Sequence, residues 1–146
     1  MKLKIPPPVQ ALIFGFIMWG INHWSGIGQA EFALPMIIAA AGLAIIIMAA
    51  INFKAAQTTV NPMNPSKASS LVIVGVFKFS RNPMYLGLLI ILTAWALYLE
   101  NVISVAVLPV FVLYITNFQI IPEEEALVKI FGDEYEHYCL SVRRWI

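Results

Sequence analysis

Apolar residues along this chain gather into four blocks, about residues 9–24, 32–53, 83–99 and 102–121, and the polar residues collect between and after them. Blocks of this size approach the ~17–25 residues that a bilayer core demands of a helix. The second carries the strongest signal. From Ile37 to Ile51 it holds no polar side chain, and Leu, Ile and Val each favour insertion by roughly 0.3–0.6 kcal/mol. Glu100 and Asn101 alone separate the third block from the fourth, so these two are expected to form an antiparallel hairpin. A loop over residues 54–82 divides the chain into halves, and such length without a span of its own marks a functional or disordered connection. The expected fold is an all-α integral membrane protein, a single membrane domain over residues 1–146 with about four transmembrane helices and a C-terminal cytosolic amphipathic helical tail, residues 122–146.

Composition supports the membrane as solvent. Hydrophobic residues make up 60% of the chain and charged residues 12%, against ~25% charged in soluble domains. The net charge of +1 offers no basic field for nucleic acid, and the single Cys139 excludes an intrachain disulfide and any multi-cysteine metal site. No metal site is expected. The N-terminal block follows Lys2 and Lys4 but shows no clear small-residue cleavage site, so it reads as a retained span rather than a signal peptide. Lys54, Lys67, Lys78 and Arg81 lie in the long loop, and Lys129, Arg143 and Arg144 lie in the tail. None of the basic residues falls in the short turns around Gly26 and Gly28 or at Glu100-Asn101. The positive-inside rule then puts both termini and the long loop in the cytoplasm.

Any site for a soluble ligand should therefore come from the loop and the tail. The loop holds Thr58, Thr59, Pro62 and Pro65, then Gly75 and Arg81-Asn82-Pro83-Met84-Tyr85-Leu86-Gly87. Asn is a favoured N-cap and Pro a favoured first helical residue, so Asn82-Pro83 could serve only to start the third span. Alternatively, Arg81, Tyr85 and the first amides form a polar rim suited to an anion. In the tail, Pro122-Glu123-Glu124-Glu125 is expected to open a helix that Gly132 closes, with acidic residues favoured at its start. Leu127, Ile130 and Phe131 give that helix an apolar face. Asp133 and Glu136 have the spacing of a capping box for a second short helix bearing Tyr135 and Tyr138.

Together the two segments resemble the isoprenylcysteine carboxyl methyltransferase and phospholipid methyltransferase group of membrane enzymes. That group carries an Arg-His-Pro-x-Tyr-x-Gly motif after a Gly-aromatic step, then Glu-Glu-x-x-Leu leading to Phe-Gly-x-x-Tyr-x-x-Tyr. This chain has Gly75-Val76-Phe77, Arg81 to Gly87, Glu123-Glu124-Glu125-Ala126-Leu127, and Phe131-Gly132 followed by Tyr135 and Tyr138. Asn82 stands where better-known members have His; it can hydrogen-bond but cannot titrate near neutrality.

The resemblance implies an S-adenosylmethionine-dependent methyltransferase whose cofactor lies at the cytosolic face, held by residues among Arg81, Asn82, Pro83, Tyr85, Gly87, Glu123, Glu124, Leu127, Tyr135 and Tyr138. It places Glu123 or Glu124 on the cofactor's amino group, Arg81 or helix-start amides near its carboxylate, and Tyr85, Leu127, Tyr135 and Tyr138 around adenine and ribose. The acceptor is then a membrane lipid or a hydrophobic small molecule. Asn52, Thr116, Asn117 and Gln119 either line its approach or hydrogen-bond between helices. His137 and His23 read as ordinary side chains, and no general base stands out. Two alternatives remain open: an NADPH-dependent membrane reductase of related architecture, and a non-catalytic membrane binding protein.

Overall fold

The computed structural model describes residues 5–25, 31–56 and 70–146. Lys2, Lys4, Gly26, Gly28, Thr58, Thr59, Pro62, Pro65 and Lys67 lie outside the described residues. Within them all regular structure is helical: α1 (Pro7–Ser25), α2 (Ala33–Ala55), a 3-10 turn (Gly75–Lys78), α3 (Pro83–Leu99), α4 (Val102–Ile115), a π turn (Thr116–Ile120), α5 (Ile121–Phe131) and α6 (Asp133–Ser141). Among the described residues two helical stretches are long and apolar enough to cross a membrane, α2 and the continuous run Val102–Phe131, while α3 is a shorter apolar helix of 17 residues.

That continuous run corrects the expectation of a break at Pro122. The π turn passes the Ile121 N–H to the Thr116 carbonyl, and Pro122, which has no N–H to place, follows in the first turn of α5. The expected capping box at Asp133 does not form either. Gly132, at φ 51°, reverses the chain and α6 starts at once, with no side-chain cap. Asp133 is already helical, and the Gly132 carbonyl receives the Tyr135 and Glu136 amides.

The main core lies where α1, α3 and α4 meet, around Met18, Leu92, Leu99, Phe111 and Ile115. Asn101 locks its far end: its side chain caps α4 by accepting from the Ile103 N–H at 2.9 Å and donates to the Ser25 hydroxyl at 2.7 Å. α2 packs on the other side of α3 through glycines. A Cβ on Gly42 would lie 2.7 Å from the Gly87 carbonyl oxygen, and one on Gly87 would lie 2.6 Å from that of Gly42. Small residues let apolar helices approach closely enough for dispersion to hold them. This contact fixes the rotation of α3, and so the direction in which its first turn points.

Candidate functional site

The first turn of α3 meets the first turn of α5 at one end of the bundle. Pro83 occupies the helix start, where its missing N–H costs nothing. Buried Tyr85 donates its hydroxyl to Glu123 Oε1 at 2.7 Å. Successive helical residues point about 100° apart, so Glu124 faces elsewhere and meets cations. Arg144 grips both its oxygens, Nε to Oε1 at 3.0 Å and Nη2 to Oε2 at 2.7 Å. Arg81 Nη1 lies 3.2 Å from the same Oε1.

Arg81 and Asn82 are tied to the C-terminal segment as well. The Arg81 amide donates to the Arg143 carbonyl at 3.0 Å, and the Asn82 side-chain amide to the Arg144 carbonyl at 2.9 Å. Asn82 therefore stands at the N-cap position of α3 without capping it. Its own N–H donates to the Ser80 hydroxyl at 3.1 Å. Arg81 Nη1 also reaches Cys139 Sγ, while the buried Arg81 Nε has no hydrogen-bond partner among the described residues. Behind this corner Tyr138 donates to the Phe77 carbonyl at 2.6 Å, and the Tyr135 ring lies 6.2 Å from that of Tyr138.

Electrostatics separate the two glutamates. Burial pushes the Glu123 carboxyl up to about 8, with the Glu124 charge adding to the rise and the Tyr85 hydrogen bond opposing it. Among the described residues no ion pair compensates it. Burial also raises the Tyr135 and Tyr138 phenols, which stay protonated as donors. The hydrogen bonds that Arg144 donates to Glu124 hold the guanidinium in its charged form.

The structure thus brings together Arg81, Asn82, Pro83, Tyr85, Glu123, Glu124, Tyr135 and Tyr138. Gly87 lies apart, on the face of α3 that packs against α2, and Leu127 is half-buried one turn along α5 from Glu123. The four polar residues considered for the acceptor's approach are hydrogen-bonded within the protein: Asn52 to the Val74 carbonyl, Asn117 to the Leu113 carbonyl, Gln119 to the Ile5 carbonyl, and Thr116 from the Trp145 indole. His137 is exposed and bonds the Asp133 carbonyl of its own helix. His23 is exposed and stacks on Trp19.

Sequence reasoning missed Arg144, Ser80 and Trp145. Arg144 entered it only as a positive charge that orients the chain, and nothing in local spacing reveals a partner twenty residues upstream. It also missed an apolar groove of about 780 Å³ flanked by Ala11 and Phe16 of α1 and by Pro35 and Ala39 of α2, with Leu88 and Leu92 of α3 between them. Leu88 lies one helical turn from Tyr85.

Comparison with known proteins gives two matches. The family model for phospholipid methyltransferase matches residues 30–134. An uncharacterized protein of Haemophilus influenzae is 49% identical over 63 residues, which cover 43% of this chain and 100% of that protein. No solved structure matches.

Proposed function

The chain belongs to the phospholipid methyltransferase family, and from that membership we propose that it transfers a methyl group from S-adenosylmethionine to a lipidic or small hydrophobic acceptor at the cytosolic face of a membrane. The cofactor supplies, when bound, an electrophilic methyl on a sulfonium, together with an ammonium, a carboxylate and an adenosine that the protein must hold.

The observation that carries this reading is the division of labour at the corner of α3 and α5. Glu124 is already satisfied by two guanidinium groups, whereas Glu123 is partly buried and, among the described residues, uncompensated and bonded only to a neutral phenol. Glu123 is therefore the carboxylate suited to the ammonium, and Tyr85 orients it. Arg81, with a buried N–H that has no partner among the described residues, is suited to the carboxylate. Tyr135 and Tyr138 supply flat apolar walls for adenosine, and Pro83 and Asn82 set the entry of α3. Gly87 serves the site at one remove, by letting α2 seat against α3.

Methyl transfer in such a site is chiefly a matter of positioning and exclusion of water. The groove beside Leu88 is suited to the acceptor's hydrocarbon part, because it is apolar and begins one turn from Tyr85. In this reading α1 and α3 also span the bilayer, giving four passes with the loop and both ends cytoplasmic. Calorimetry on purified full-length protein tests the cofactor assignment. S-adenosylhomocysteine should bind at a single site, and binding of NADPH instead would overturn the reading in favour of a reductase.

A further inference from the structure

The last residues of the chain form a clasp across the corner, and we infer that Arg144 is a positioning residue for the cofactor site. The inference rests on the function proposed above. It adds that the choice between two adjacent carboxylates is made from the C-terminus, by a residue that need not touch the cofactor itself.

Three independent contacts place the clasp. Trp145 anchors it, half-buried against the α1–α3–α4 core, with its indole N–H 3.3 Å from the Thr116 hydroxyl of the π turn. The carbonyls of Arg143 and Arg144 receive the Arg81 amide and the Asn82 side chain, so the strand of chain leading to Trp145 runs against the entry to α3. From that position the Arg144 guanidinium takes both oxygens of Glu124 in a fork geometry. Planar, two-point pairing of this kind restricts orientation as well as adding attraction.

Two effects follow for ligand binding. Glu124 is neutralised by the two guanidiniums, so a ligand ammonium meets Glu123 alone. Arg81 shares Glu124 Oε1 with Arg144, so it is held at the edge of the pair instead of closing its own two-point bridge, and its Nε has no partner among the described residues. Without Arg144, Glu124 would be free to draw Arg81 into a bidentate pair and remove the group suited to the ligand's carboxylate. The Arg144 side chain is 38% exposed and that of Glu124 16%, and Arg81 remains beside Glu124 when Arg144 is lost, so the carboxylate is not left without a cation. The consequence of losing Arg144 should therefore appear in binding more than in folding.

The experiment compares Arg144→Gln, Arg144→Lys, Glu124→Gln and the Arg144→Gln/Glu124→Gln double variant with wild type, with exposed Lys129→Gln as the control. Two readouts are used: S-adenosylhomocysteine affinity, and the rate of Cys139 alkylation in ligand-free protein. Cys139 lies against Arg81, so its reactivity follows the clasp without any ligand. Arg144→Gln should weaken S-adenosylhomocysteine binding about 10-fold, on the scale of one charge-assisted hydrogen bond. It should also change the alkylation rate severalfold, with thermal stability close to wild type. Lys should restore less than half of the lost binding free energy because it lacks the fork. The double variant should bind no more weakly than the worse single variant, because the two residues act as one unit.

Wild-type affinity in Arg144→Gln, or strictly additive losses in the double variant, would overturn the inference while leaving the proposed function intact. A fall in binding matched by an equal fall in ligand-free stability would also overturn it, in favour of a purely structural clasp. If wild type itself binds no S-adenosylhomocysteine, the proposed function fails and this inference fails with it. The alkylation rates then report separately whether Arg144 holds Arg81 in place.

Discussion

If Glu123 holds the ligand ammonium as proposed, cofactor binding should release a proton, and this gives the most discriminating test of the site. Burial pushes the carboxyl up to about 8 from an ordinary 4.5, and among the described residues no cation pairs with it. A ligand ammonium selects the ionised form, so below about pH 8 each binding event must first remove a proton, and affinity falls roughly tenfold per pH unit. Between about pH 8.5 and pH 6 the dissociation constant for S-adenosylhomocysteine should rise on the order of 100-fold. Calorimetry near neutral pH in buffers of different ionisation enthalpy should report release of nearly one proton. Glu123→Gln keeps an oxygen to accept from Tyr85 but removes the charge. It should weaken binding at high pH by about 10–100-fold, corresponding to the 1.5–3 kcal/mol of a charged hydrogen bond, and its profile should retain only the ligand's own titration. The sign for folding is opposite. A carboxyl raised in the folded state contributes stability that is complete below 4.5 and is lost as pH climbs through about 8, so the ligand-free protein should lose stability over that window and Glu123→Gln should flatten the slope. An affinity that stays level from pH 6 to 8.5, with no buffer dependence, would refute the assignment of Glu123 to the ammonium.

The remaining predictions address the scaffold and the orientation. Gly87→Ala forces a Cβ to within 2.6 Å of the Gly42 carbonyl and should destabilise the protein by about 1–3 kcal/mol, read as a lower unfolding midpoint in detergent. Tyr138→Phe removes the donor to the buried Phe77 carbonyl; it should cost about 1–3 kcal/mol and increase proteolysis near the Gly75–Lys78 turn. Single cysteines at Glu31 and Glu100, in a cysteine-free background, should react with an impermeant reagent from outside intact cells, whereas one at Ser141 should not. The reverse pattern would invert the proposed orientation.

Run length and motif order by themselves determined that the chain is helical and apolar, and they determined its family. A bilayer or a helix core rewards uninterrupted apolar segments whatever surrounds them, so residues 33–55 and 83–99 declare themselves locally. The motifs from Arg81 to Gly87 and from Glu123 to Tyr138 are likewise short enough to read in the chain. The helix junctions were less legible. Whether Pro122 breaks a helix depends on the hydrogen-bond pattern of the preceding turn, and whether Asp133 caps one depends on where Gly132 reverses the chain.

Only the tertiary structure decided what each polar residue of the site is free to do. Asn82 has the makings of an N-cap, yet its amide is committed to the Arg144 carbonyl 62 residues away. Glu123 and Glu124 are chemically identical neighbours. Their difference arises because one points to Tyr85 and the other to Arg81 and Arg144, and those partners come from α3 and the C-terminus. Hydrogen bonds and ion pairs act over a few ångströms whatever the separation along the chain. Which carboxylate remains available is therefore settled by the packing that brings the ends of α3, α5 and the C-terminal segment to one corner.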